Sequence, residues 1–190
     1  VQSLRELGKS DLHKLNIDKP TVVTQEALGR AYIIREDYIN ALPVYDDLIY
    51  KMTDQELKTN PQALYFRGIC YERIGKWDKA EADFKKVLSI DPNHADALNY
   101  LGYTWIDRGE YLSTSLEMIQ KAVELSPNSG AITDSLGWAH YKLGNLKKAK
   151  LNLEAAVELS PTSATIIDHL GDIYWVIGRK KEAMYQWKRA

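Results

Sequence analysis

The 190 residues carry 25 basic and 26 acidic side chains, a net charge of −1, which offers no general pull toward nucleic acid or anionic membrane. At 45% hydrophobic and 27% charged, the chain has the composition of one or two folded domains with a buried core. Its single cysteine, Cys70, excludes an internal disulfide and any multi-cysteine metal site, and no apolar run reaches the roughly 18 residues a membrane helix needs.

Residues 1–21 place Leu4, Leu7, Leu12 and Leu15 on successive helical turns, interrupted by Gly8, Ser10 and Asp11. They read as the tail helix of a preceding unit, irregular, with Asp18-Lys19-Pro20 as its closing turn. Over residues 22–60, Leu28-Gly29 and Tyr32 suit one helix, and Tyr38, Ala41, Tyr45 and Leu48 a second. Glu36 stands at the turn between them, and Pro43 is expected to bend the second helix. Thr53 to Pro61 is expected to prolong that helix and then turn, with Asn60-Pro61 opening the next.

Residues 61–94 present Leu64, Gly68, Tyr71, Gly75, Trp77, Ala80, Phe84 and Pro92 in order. The same order returns over 95–129, with one extra residue between Gly109 and Ser115, expected in the turn GEYLST because loops absorb insertions cheaply. It returns without a gap over 130–163, where AITDSLGWAHYKLGNLKKAKLNLEAAVELSP gives two helices broken at Gly144-Asn145 and stopped at Pro161. Over 164–190 it runs as far as Trp187, so the last unit reads as truncated, with a polar capping helix expected beyond it.

Gly68, Gly102, Gly137 and Gly171 are separated by 34, 35 and 34 residues, each followed seven places on by Gly75, Gly109, Gly144 or Gly178. The small residues Ala80, Ser115, Ala149 and Ala183 and the large Phe84, Ile119, Leu153 and Trp187 follow at the same period. The pattern resembles the tetratricopeptide repeat, a helix–turn–helix of about 34 residues. The resemblance implies an all-α chain, a right-handed superhelical solenoid of stacked hairpins forming one continuous domain. Gly137 and Ala149 would stand where the two helices of a hairpin cross, a place for small side chains.

In that family the first helices of successive repeats line a concave surface that holds a peptide or a partner helix. Carried over position by position, the groove would take Tyr65 and Ile69, then Asn99, Tyr103, Ile106 and Asp107. Asp134, Trp138 and Tyr141 would follow, and then Asp168, Asp172 and Trp175. Aromatic anchors flanked by carboxylates suit a protein or peptide partner of basic or aromatic-rich character. Tyr65, Ile69, Asp134 and Asp168 are wrong for holding a carboxylate. The stretches LNYLGYTWIDRGEYLSTSLEMIQKAVELSP and IIDHLGDIYWVIGRKKEAMYQWKRA resemble those of proteobacterial, especially alphaproteobacterial, repeat proteins. Members of that group often carry export or lipoprotein signals, so the resemblance leaves periplasmic, membrane-associated and cytoplasmic placement all open.

Catalytic signatures are missing from the sequence. His13, His94, His140 and His169 lack metal-site spacing, and Asp134, Ser135 and His140 share one helix without a nucleophile elbow. The glycines lie a repeat apart, not in one phosphate-cradling loop. The expected function is a non-catalytic interaction scaffold or adaptor, without cofactor, metal or small-molecule substrate. Self-association of stacked solenoid ends, or a regulatory repeat region of a larger protein, is the alternative.

Overall fold

The computed structural model describes residues 21–190, and the reading of residues 1–20 as a tail helix lies outside them. Every regular element among the described residues is a helix. They fall into two compact units, divided after Pro92.

The unit ending at Pro92 holds α1 (Val22–Ile34), α2 (Tyr38–Lys51), the short α3 (Asp54–Thr59), α4 (Gln62–Arg73) and α5 (Trp77–Ile90). Leu28, Tyr32, Ala41, Tyr45 and Leu48 form its core with Ala63 and Cys70. Each fully buried large side chain contributes roughly 1.5–3 kcal/mol. Cys70 is buried in this packing, and burial pushes its thiol up to about 12, out of reach of thiolate chemistry at neutral pH. Pro43 lies inside α2 on its exposed side, and the helix runs on through it to Lys51.

The expectation for Thr53 to Pro61 is corrected. α2 ends at Lys51, Met52 after it is in extended backbone, and a separate helix begins at Asp54. Thr53 caps it by accepting from the Glu56 N–H, while the Glu56 carboxylate accepts from the Thr53 N–H at 2.7 Å. Two orphan donors are thereby satisfied reciprocally, so the chain restarts instead of continuing.

The unit from Asn93 holds three hairpins: α6 (Ala95–Asp107) with α7 (Leu112–Leu125), α8 (Gly130–Lys142) with α9 (Leu146–Leu159), and α10 (Ala164–Val176) with α11 (Lys180–Arg189). One core joins Ile106 and Ile119 to Leu136 and Ala139. Another joins Ala149 and Leu153 to Leu170, Ile173, Tyr174 and Ala183. Both cores span two hairpins, so neither hairpin buries its apolar face alone.

The glycine period has a steric cause. A Cβ on Gly137 would lie 2.6 Å from Leu153 Cγ, one on Gly68 2.8 Å from Phe84 Cε1, and one on Gly171 2.4 Å from Trp187 Nε1. The large residue of the second helix therefore sits directly on the glycine of the first. That residue, rather than Ala149, is what Gly137 makes room for.

The second glycines end the first helices. Gly75, Gly109, Gly144 and Gly178 all have φ near +80°, between 75° and 86°. The N–H that follows each one bonds five residues back, as Lys76 to the Tyr71 carbonyl and Asn145 to the His140 carbonyl, both at 2.8 Å. This closes the helix end with a left-handed residue. Glu36 fills the same role at φ 58° without being glycine. In the α6–α7 turn the extra residue is accommodated at Tyr111, also left-handed at φ 45°, whose ring packs 4.7 Å from Trp105.

Candidate functional site on the first helices

Stacking the three hairpins of residues 93–190 sets α6, α8 and α10 beside one another. Between them lies a pocket of about 220 Å³, lined by Asn99, Tyr100 and Tyr103 from α6, Ala131, Asp134 and Ser135 from α8, and Thr165 and His169 from α10. Three of the expected site residues, Asn99, Tyr103 and Asp134, thus meet in one cavity.

Asp134 is only 6% exposed. Both of its carboxylate oxygens lie 3.0 Å from His169 Nδ1, on the neighbouring repeat. The imidazole in turn stacks on Trp138, 4.3 Å between centroids and 21° between planes. Burial opposes the charged imidazole. The bond to Asp134 and the negative charges of Asp134, Asp172 and Asp168 outweigh it, and the His169 pKa is raised. The resemblance places Asp134 on the groove wall among the flanking carboxylates. There it is enclosed and already paired, and the residue that sequence reasoning passed over is His169.

Tyr141 packs 5.0 Å from Trp138, extending the aromatic surface along α8. Asp107 is exposed and pairs with Lys142 at 3.1 Å. Both of these ion pairs join residues 35 apart, from one first helix to the next. An acid followed by a base at that interval is the signal that would have revealed them. Asp168 is exposed, whereas Asp172 is half-buried. Desolvation, reinforced by the charge of Asp168, raises the Asp172 pKa against the opposing effects of the Trp187 indole and His169.

Trp175 is 45% exposed and lies 5.5 Å from Trp187, with the Lys180 ammonium 5.0 Å above its ring. Ile106 does not reach the groove. At 1% exposure it belongs to the core with Ile119 and Leu136, because its position on α6 turns toward α7.

Tyr65 and Ile69 lie on α4, in the unit ending at Pro92, and both are half-buried. Tyr65 packs 5.4 Å from Phe66 and 6.0 Å from Phe84. Beside it, Arg67 makes a bidentate pair with Asp83, both bonds 2.8 Å, and reaches Asp46 at 3.1 Å. This network, joining three helices, has no counterpart among the sequence expectations.

Among the described residues, no group of three or more His, Cys, Asp or Glu side chains could hold a metal ion. No helix there is long and apolar enough to cross a membrane. His140 is buried, and desolvation lowers its pKa with help from the charge of Lys148. Its Nδ1 has no hydrogen-bond partner, and Ser135 donates to the Ala131 carbonyl at 3.1 Å. Asp134, Ser135 and His140 therefore make no catalytic relay.

Comparison with known proteins agrees with this architecture. The family models described as "Tetratricopeptide repeat" match residues 61–94 and 135–163. The chain carries tetratricopeptide repeats.

TPR repeat-containing protein PA4667 of Pseudomonas aeruginosa, a proteobacterial relative, is 29% identical over 150 residues, 77% of this chain and 25% of its own length. The chain thus spans about a quarter of that relative. The general transcriptional corepressor ssn6 of Schizosaccharomyces pombe is 34% identical over 67 residues, 35% of this chain and 6% of its own.

Among solved structures, the thermophilic tetratricopeptide-repeat protein TTC0263 of Thermus thermophilus superposes with a TM-score of 0.74 at 23% identity, covering 90% of each chain. PilW, a type IV pilus biogenesis factor, gives 0.75 at 22% identity over 88% of this chain and 75% of its own. MamA from Desulfovibrio magneticus RS-1 gives 0.66 at 22% identity over 88% of this chain and 91% of its own. At these identities the likeness is one of fold. Tetratricopeptide-repeat proteins are generally protein-interaction scaffolds, typically without catalysis.

Proposed function

We propose that this chain is a protein-interaction scaffold that holds a basic segment of a partner protein against α6, α8 and α10. The observation that carries this reading is the pocket to which three consecutive first helices each contribute side chains. Aromatic surface adjoins it at Tyr103, Trp138 and Tyr141, and such rings bury large area at little entropic cost. Carboxylates at Asp134, Asp168 and Asp172 bias the surface toward cations, while Lys142 on its flank is engaged by Asp107. Chemistry on a bound substrate has no candidate residues here.

Affinity capture with the wild-type chain and with Trp138→Ala and Asp168→Ala variants, each checked for helical content, tests the reading. The variants should lose partners that the wild type retains. Recovery of the same partners in equal amounts by all three would overturn it.

A second reading, self-association, is favoured by one observation: Met184, Tyr185 and Trp187 on α11 and Val176 on α10 are exposed apolar side chains. Light scattering on the purified chain separates the two. A size that grows with concentration in the absence of any partner supports self-association.

A further inference from the structure

The pocket itself suggests a ligand. We propose that it receives one cationic side chain, a lysine or arginine of the bound segment, between the Asn99 carbonyl oxygen and the Asp134 carboxylate. This rests on the scaffold reading and adds to it the chemistry of one subsite.

Size comes first. A volume of about 220 Å³ is below the roughly 300 Å³ at which small-molecule sites begin. It suits a single side chain entering from an extended segment. The polar groups come next. Asn99, on the α6 wall of the pocket, has a buried side-chain oxygen, Oδ1, that accepts no hydrogen bond from within the chain.

Across the pocket the Asp134 carboxylate spends only part of its accepting capacity on His169 Nδ1. No lysine or arginine lines the cavity, while Tyr100 and Tyr103 supply ring surface for an alkyl stem and a cation. An anion entering here would meet a carboxylate and an unpaired side-chain amide oxygen, and an apolar chain would leave that oxygen unpaired.

His169 sets the strength of the subsite. Its Nδ1 donates to Asp134 in either protonation state, so the neutral imidazole leaves the pocket with one negative charge and the imidazolium cancels that charge. The groups facing the ring are Asp134 on α8, Asp168 and Asp172 on its own helix, and the tyrosines of α6. A cation entering the pocket disfavours the imidazolium and releases its proton. Affinity for a basic segment therefore rises as pH rises through the His169 pKa.

The test is an NMR titration of the full chain with an acetylated, amidated alanine pentapeptide bearing a central lysine, against the same peptide with norleucine. The lysine peptide should move the Trp138 indole and His169 ring resonances, lower the His169 midpoint, and bind several-fold more tightly at pH 8 than at pH 6. Norleucine should do none of this. Asp134→Asn should remove the preference for lysine. Because that variant disturbs a buried pair, Asn99→Leu serves as the second one: losing an unpartnered acceptor should leave folding intact and still weaken lysine binding.

Equal shifts from both peptides would overturn the cationic subsite while leaving the surface as a binding face. A lysine preference that survives Asn99→Leu and shows no pH dependence would overturn the placement of the charge. If neither peptide moves any first-helix resonance at millimolar concentration, the subsite falls, and the scaffold reading is then judged by the capture experiment alone.

Discussion

Gly137 shows how one atom is decided by its surroundings. Alanine favours a helix interior over glycine by about 1 kcal/mol. A Cβ at this position, however, lies 2.6 Å from Leu153 Cγ and 3.2 Å from the Leu153 backbone nitrogen. The side chain can shift, the backbone much less, and overpacking a closed core costs about 1–3 kcal/mol. Gly137→Ala should therefore destabilise the chain by about 1 kcal/mol net in urea unfolding. On a Leu153→Ala background the cost should shrink, because the Cγ and Cδ2 contacts are gone and only the backbone nitrogen at 3.2 Å remains; a cost unchanged in that background would refute the side-chain contact. Arg67 is decided by charge instead. It pairs bidentately with Asp83, which is 6% exposed. Arg67→Met keeps the stem and strands the carboxylate, so unfolding experiments should show a loss of about 3 kcal/mol.

At the scale of helices and turns, much was legible because the repeat imposes it. α5, α7 and α9 each end two residues before Pro92, Pro127 and Pro161, and α4, α6, α8 and α10 each end two residues before a left-handed glycine. A period visible in the chain becomes a helix boundary in space. What stayed hidden depends on side chains meeting across repeats. The enclosure of Asp134 by His169, and the turn of Ile106 into the core, follow from how α8 sits against its neighbours, which spacing along one helix does not report. The separate α3 was hidden for a local reason: Thr53 and Glu56 form a capping box four residues long inside a stretch that otherwise looks like a helix tail. The α1–α2 turn offers a clean measurement. Glu36 holds φ 58° where the other turns use glycine, a conformation costing a side-chain-bearing residue about 1–2 kcal/mol. Glycine gives back roughly 0.5–1 kcal/mol in unfolded-state entropy. Glu36→Gly should thus raise stability by roughly 0.5–1 kcal/mol in thermal or urea unfolding, and a loss of stability would show that the Glu36 side chain contributes a contact of its own.

For the molecule as a whole, two histidines should shape stability against pH in opposite directions. His140 is buried, and its folded pKa lies below the unfolded value of about 6.5. As pH falls through that unfolded value, the unfolded chain takes up a proton the folded one refuses, so stability declines on the acid side. His169 has a folded pKa above the unfolded one. Its contribution is fully present below about pH 6.5 and disappears as pH rises through the folded value. Together they predict a stability maximum near the unfolded histidine value, with one histidine responsible for each limb. Urea unfolding of the wild type from about pH 5.5 to about 8 should show both limbs, a window above the range in which the carboxylates Asp47, Glu56 and Glu182, all lowered, would titrate. His140→Gln should flatten the acid limb and leave the alkaline one. His169→Asn should lower stability throughout, since it leaves Asp134 without its partner, and should flatten the alkaline limb alone. If the alkaline limb persisted in His169→Asn, the Asp134–His169 pair would not be the element that senses pH, and the proton release assigned to the pocket would lose its source.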